Sequence, residues 1–583
     1  MSPVLITYPT WKEMFGERPS LEQLLVEVRQ FDKTQTVWFL SRLNMLLALG
    51  RFHSDDVIPI QKVMLGLLVD EELLEKLKKT FGTERIDERQ PFHSLQFLLL
   101  LKLVLLEGEK TGNKRPDFDR AAAYSLGRCL VMTNDMLFTD ERLRAIRSDR
   151  PSGKRRRLAL LLQVGSGFEV NNPPDIVTSV ARSELIFGEI LQKTRCSMDI
   201  PGVFKAQTGI SLDEYVDFIF GTLAYYLVFR WQQVLENAAL ACVNTKTFLA
   251  QVQPAGARWW QIEQTSVPDL MKALQVPSKL KSQHDFIAMR RTPFLDVGSD
   301  NSIPMHIGFV QEKLEAGLFW AIFNSLKTSQ ERDRLFTDWG HLFENYVDKV
   351  LGSTFDNKTE VFIPFPKFSD KDEESFDGVV VAGDHMFALE YKGGFLKAEA
   401  KYAEDEMALI DDLNRKFGKG NDGGLSQLAR KIGQIFAANP TKRRIIAGVD
   451  TSKIAVVVPI VIVQETFVSS EIAHPFLYDV FGSLKRMQSL ERRINVVGPL
   501  VLDVGDVEML RPYIQSGKMT FRECMMERIS FGGSRHLSFH DFLRDFLTKR
   551  SIGPLWDDDT KKRFRDVMER VSQRFFNKSF TTP

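Results

Sequence analysis

The chain has 583 residues, with 77 lysines and arginines against 76 aspartates and glutamates, a formal net charge of +1. That length suits two to four domains, and that balance excludes a histone-like polycation while leaving room for a local basic groove. The four cysteines, Cys129, Cys196, Cys242 and Cys524, form no CxxC pair, so neither a zinc site nor a disulfide framework is expected and a reducing cytoplasm fits. The start, MSPVLITYPTWKEM, lacks the basic region and apolar core of a signal peptide. The most apolar run, LQFLLLLKLVLL at 95–106, is too short for a bilayer and contains Lys102, so it is expected to be a buried helix. These features predict a cytoplasmic protein with no membrane partner.

In chain order, residues 1–290 read as a mostly helical recognition or regulatory region. Apolar residues recur at helical spacing over 21–28, 36–49, 57–80, 121–135, 178–193 and 212–238. Ser211 and Glu214 stand three apart, as a capping box requires. Two stretches interrupt this half. RAIRSDRPSGKRRR, 144–157, reads as a solvated basic turn that could also contact phosphates, and QVQPAGARWWQIEQTSVP, 251–268, reads as a loop with an aromatic pair. Residues 291–334 read as a helical connector. Past 335 the texture changes: strand-like runs at 359–364, 376–382, 386–392 and 454–463 alternate with helices at 332–351 and 425–438, the mark of an α/β or α+β domain over 335–515. The segment 516–583 reads as a short helical tail, with a helix at 538–549 and WDDD at 556–559 as a helix start.

The chemistry concentrates in SFDGVVVAGDHMFALEYKGG, residues 375–394. Gly383-Asp384 signals a turn between two strand-like runs. A hairpin folded there sets Asp377 opposite Glu390, with Cβ atoms roughly 5 Å apart. Two carboxylates that close repel unless a cation lies between them, and carboxylate oxygens suit Mg²⁺ or Mn²⁺. Lys392 is two residues beyond Glu390 and therefore on the same face. The other face is expected to carry Phe376, Val380, Phe387, Leu389 and Tyr391. An exposed cross-strand salt bridge is the plainer account of such a trio.

This pattern resembles the PD-(D/E)xK nuclease superfamily, with Asp377 in the aspartate place, Glu390 in the acidic place and Lys392 in the lysine place. Phe376 stands where the family commonly has proline. The resemblance implies a restriction-endonuclease-like α/β domain over about 335–515, with a central mixed sheet flanked by helices. It also implies metal ligands at Asp377, Glu390 and the backbone carbonyl of Tyr391, and Lys392 beside the attacking water. Glu344, on the border of the apolar stripe in LFTDWGHLFENYVDKVL, would arrive from the helix before the hairpin and complete the catalytic and metal site. In the helix after it, Gln427 and Lys431 would face substrate, and Lys442, Arg443 and Arg444 would hold phosphates.

The implied protein is a Mg²⁺- or Mn²⁺-dependent phosphodiesterase acting on DNA rather than RNA. Its helical region would take an activator or protein partner, an architecture that resembles bacterial defence and restriction-like effectors. The competing expectation is a nuclease-like fold that binds nucleic acid or protein without catalysis. Other chemistries lack their residues. GEKTGNK at 108–114 has the wrong spacing for a phosphate loop, GKGNDGG at 418–424 reads as a mobile loop, and His341, His536 and His540 have no partners spaced for a metal site.

Overall fold

The computed structural model describes residues 9–52, 56–109, 119–137, 176–252, 254–275, 283, 285–356, 358–370, 373–402, 406–421, 423–470, 473–530 and 538–576. The basic stretch 144–157 and His536 lie outside these residues. Among them, no helix is long and apolar enough to cross a membrane. The fold is α/β with a large helical part.

The run at 95–106 is helix α1 (Ser94–Glu107), and most of its leucines are buried. Helix α2 (Ile176–Glu184) leads through a π-helical turn, Leu185–Ile190, toward the rest of the chain. Helix α3 (Leu212–Leu227) starts on the expected capping box, with Ser211 Oγ accepting from Glu214 N–H. Two expected helices are each broken in two. Residues 57–80 split at Val69, whose backbone is extended, and Asp70 caps the second piece. Residues 212–238 split after Leu227 and restart at Trp231. Periodicity survives such a break, so the pattern alone did not reveal it.

The stretch 251–268 is not a loop. It contains helix α4 (Ala255–Glu263), and Trp259 and Trp260 are buried with ring centroids 5.9 and 5.0 Å from that of Phe294. Burial of two indoles outweighs the loop signal of Pro254, which sits just before the helix where proline is tolerated. The connector 291–334 is likewise not wholly helical. Strands β3 (Phe294–Gly298) and β4 (Asn301–Pro304) form a hairpin, turned through Gly298, Ser299 and Asp300 at positive φ. With β1 (Val243–Asn244) and β2 (Gln264–Ser266) they make a four-stranded sheet in the order β1-β4-β3-β2. Helices α5 (Ala316–Ser325) and α6 (Ser329–Thr354) follow.

The α/β part begins on α6. Strands β5 (Val361–Pro364), β6 (Gly378–Ala382) and β7 (His385–Lys392) form an antiparallel meander. Helices α7 (Glu406–Lys416) and α8 (Gly424–Ile435) then cross to β8 (Val456–Val463), which pairs parallel to β7. Helix α9 (His474–Arg486) leads to β9 (Asn495–Val496) and β10 (Leu500–Asp503), both parallel to β8. The mixed sheet runs β10-β8-β7-β6-β5. One face, with Val380, Phe387, Leu389, Ile460 and Leu502, merges with α6 and the helical half into one continuous core. The other, with Val379, Met386, Ala388, Val461 and Val501, forms a separate core under α8 and α9.

Helix α10 (Val504–Gln515) ends the α/β part by packing on α6. The C-terminal segment, 516–583, is no tail: helix α11 (Asp558–Phe576) returns to α2 and α3. Phe575 meets Phe218 edge-on at 5.6 Å, and Arg570 reaches Glu184 and Asp217. The amphipathic stripe of α11 was legible; its distant partner was not.

Candidate active site

The hairpin turns at Gly383-Asp384, where Gly383 takes φ 63° and so occupies a conformation most side chains resist. Gly378 faces Leu389 and Val379 faces Ala388. Continuing that register sets Asp377, just ahead of β6, against Glu390. Asp377 N–H donates to Leu389 O at 3.2 Å, and its Oδ2 accepts from Tyr391 N–H at 2.6 Å. The carboxylate is therefore held over the end of β7 by backbone alone.

Glu390 is only 1% exposed. Its Oε1 is 2.9 Å from Lys392 Nζ and its Oε2 is 3.3 Å from Lys431 Nζ. Lys431 projects from α8 and also lies 5.9 Å over the Phe376 ring. Phe376 thus sits in the α8 core rather than on the opposite face, because regular alternation starts only at Gly378. Tyr391 does lie on the opposite face, with a buried hydroxyl that fills the space left by the missing Cβ of Gly378.

Burial pushes the Asp377 carboxyl up to about 7, and repulsion from Glu390 adds to it. The Tyr391 N–H, Lys431 and Lys392 oppose that rise without cancelling it. Glu344 is half-buried on α6, and burial raises its pKa as well; His341 and Lys392 pull it down, while Glu374 and Glu390 push it up. Helix α6 reaches this place because Phe343 packs on Gly393, where a Cβ would stand 2.7 Å from Phe343 Cβ. From the other side, Gly424 brings the start of α8 against Lys392: a Cβ there would lie 3.4 Å from Lys392 Cε.

Among the described residues no three His, Cys, Asp or Glu side chains gather closely enough to hold an ion between them. Asp377 and Glu390 form the pair, while Glu344 reaches it only through its field. That differs from the four-ligand set expected above, because α6 packs beneath the sheet edge while the carboxylate pair faces α8. Two carboxylates still fit Mg²⁺, which usually keeps several waters and takes only one or two protein carboxylates.

Gln427 is half-buried one turn before Lys431 on α8. Lys442 is exposed in the Pro440–Lys442 turn. Arg443 and Arg444 are already committed. Arg443 Nε donates to Ala437 O at 2.7 Å, and Arg444 pairs with Asp370 and Glu373 and stacks 3.5 Å over Phe368. The structure uses both to close local loops, so they are not open to phosphates as expected. Within GKGNDGG, Gly420 and Gly423 are closely packed: a Cβ at Gly420 would lie 2.5 Å from Arg415 O, and one at Gly423 2.5 Å from Gly418 O. Sequence reasoning also missed Gln464, whose N–H donates to Lys392 O at 3.3 Å and whose Oε1 accepts from Trp339 Nε1 at 2.6 Å. No sequence signal marks it beyond its place one residue after β8.

No protein-family model, curated protein or solved structure matches this chain.

Proposed function

We propose that the chain is a metal-dependent nuclease of the PD-(D/E)xK type that hydrolyses phosphodiester bonds, in DNA rather than RNA. The observation that carries this is the hairpin register, which holds Asp377 against the Glu390–Lys392 edge of β7. The helix–meander–helix–strand order around it supports the same reading. Asp377, Glu390 and the Tyr391 carbonyl would hold Mg²⁺ or Mn²⁺, which supplies a Lewis acid at the phosphate and an activated water when bound. Tyr391 N–H fixes the Asp377 carboxylate. Lys392 orients the water and offsets charge on the phosphate, and Lys431 offers a second ammonium from α8. Glu344 keeps the field at Lys392 negative. The helical half, sharing α6 with the site, is the part that senses a partner or activating signal, as in a defence effector.

One observation favours a second reading, a non-catalytic binding fold: Glu390 already carries two ammonium partners. Incubation with plasmid and linear DNA in Mg²⁺, Mn²⁺ or EDTA separates the two. Cleavage that needs the metal and disappears in Asp377→Ala and Lys392→Ala is expected. Cleavage that persists in both variants rejects the catalytic assignment.

A further inference from the structure

Glu390, the acid of β7, is held from two sides. Lys392 comes from the same strand, two residues on, with Nζ 2.9 Å from Glu390 Oε1. Lys431 comes from the facing helix α8, with Nζ 3.3 Å from Glu390 Oε2. Both lysine side chains are mostly buried, Lys392 21% and Lys431 12% exposed. Burial dominates the Asp377 carboxyl, yet of the two ammoniums Lys431 pulls it down harder. Lys431 therefore acts on both carboxylates of the pair.

These four groups balance: two carboxylates meet two ammoniums in a recess where Glu390 is 1% exposed. An uncompensated charge in such a place is costly. A divalent cation joining the pair would leave surplus positive charge there unless one ammonium departs.

The two lysines differ in freedom. Lys392 ends the central strand of the sheet, and α8 closes over it at Gly424, where a Cβ would lie 3.4 Å from Lys392 Cε. Lys431 sits on a four-carbon stem. Gln427 and Gln434, one turn to either side of it, are half-buried, so this face of α8 borders solvent. An ammonium leaving Glu390 needs another anion, and a nucleic-acid phosphate supplies one that lysine binds as a point charge.

We propose that Lys431 is a pin on Glu390 that a substrate phosphate releases, so that nucleic-acid binding and metal loading favour each other. This rests on the nuclease reading of the site. With no strand bound, the Lys431 ammonium stays on Glu390 and keeps metal affinity low. When a strand arrives, Lys431 swings to a phosphate oxygen, and Glu390 is free to act with Asp377 as a ligand. Lys392 stays in place. The two ammonium partners of Glu390 are then the resting state of the site. The coupling is reciprocal, so metal tightens nucleic-acid binding by the same factor.

The test is Mn²⁺ binding to the full chain, read from the free-ion signal in electron paramagnetic resonance. It is run with and without a phosphorothioate DNA duplex that resists cleavage. Without the duplex, Lys431→Met is expected to bind Mn²⁺ roughly ten-fold more tightly than the unaltered chain. The duplex is expected to tighten Mn²⁺ binding in the unaltered chain and to do so much less in Lys431→Met. That second arm separates a pin from a fixed charge, which would weaken Mn²⁺ binding equally with and without the duplex. Lys431→Arg keeps the charge and grips a carboxylate with a fork, so it is expected to bind Mn²⁺ no more tightly than the unaltered chain. Equal Mn²⁺ affinity of Lys431→Met and the unaltered chain, or an equal effect of the duplex on both, overturns the pin. If that happens while Asp377→Asn abolishes Mn²⁺ binding and the unaltered chain cuts plasmid, the pin falls and the nuclease reading stands. A Lys431→Met gain that depends on Asp377, with the duplex effect lost, in a chain that never cleaves supports the pin and removes the catalytic reading. Mn²⁺ binding that is indifferent to both Asp377→Asn and Lys431→Met removes both.

Discussion

At the scale of single residues, Asp377 carries the clearest consequence. Its carboxyl is raised to about 7 by burial and by Glu390, against about 3.9 in an unfolded chain. A raised carboxyl contributes stability that is full below about pH 4 and is lost as the pH climbs through about 7. The metal-free protein therefore loses about 4 kcal/mol from this group across that window. Asp377→Asn removes the loss. Melting in EDTA is expected to show the variant more stable than the unaltered chain at alkaline pH and indistinguishable near pH 4; a constant difference across the range would reject this account. Asp377, Glu390 and Lys392 were legible because their relation is local: one turn and a period of two decide it. The clamp of Lys431 on Glu390 was not, because it depends on how α8 docks.

At the scale of elements, the β6–β7 hairpin depends on Gly378. A Cβ there would stand 2.5 Å from the Tyr391 hydroxyl and 3.0 Å from Phe362 Cε2. The hydroxyl ends a rigid ring and cannot swing aside. Gly378→Ala is expected to cost about 1–3 kcal/mol by overpacking. Tyr391→Phe removes the obstructing atom, and because that hydroxyl is buried without a hydrogen-bond partner, the single change should be neutral or stabilising. Chemical denaturation of the two single variants and the double variant tests this: simple additivity would show that the hydroxyl is not the obstacle. The long strands β7 and β8 and the helix α6 were readable from apolar runs and periodicity. Strands β1, β2 and β9, of two or three residues, carry no period to read, and β10 exists through its pairing with β8.

For the whole molecule, α6 belongs to both halves. Asp338 on its outer part accepts from Ser197 N–H at 2.9 Å and Met198 N–H at 3.0 Å. Farther along, Tyr346 donates to Glu508 on α10. Arg182 from α2 lies 2.5 Å from Glu508 and 3.0 Å from Glu315. Arg182→Ala strands both acids in a buried junction and is expected to cost about 3–5 kcal/mol. Because one hydrophobic core spans the helical half and one face of the sheet, calorimetry should show a single transition that shifts as a whole. A split into two transitions would mean that the halves fold independently. Glu189 ties α6 and α11 to the helical half through Lys349 at 3.6 Å and Arg563 at 2.6 Å, and also pairs with Lys193 one turn on at 2.8 Å. The hydrogen bonds from Lys193 and Arg563 draw its pKa down to about 2. A depressed carboxyl contributes stability above its unfolded pKa of about 4.3 and loses it as the pH falls toward 2. Glu189→Gln should therefore narrow the stability lost between neutral and acid pH; an unchanged acid limb would argue against the hub.

The sequence by itself determined a large helical region, a later α/β region, and a hairpin with two acids and a lysine at one end. All three follow from short-range periodicity and turn chemistry. Tertiary structure alone decided that residues 251–268 bury two tryptophans in a helix, that α11 closes the helical half, and that Arg443 and Arg444 serve local loops. It also decided that the carboxylate pair faces α8 while Glu344 approaches from α6. Those outcomes depend on which surfaces exclude water together, and residues hundreds of positions apart settle that only once the chain is packed.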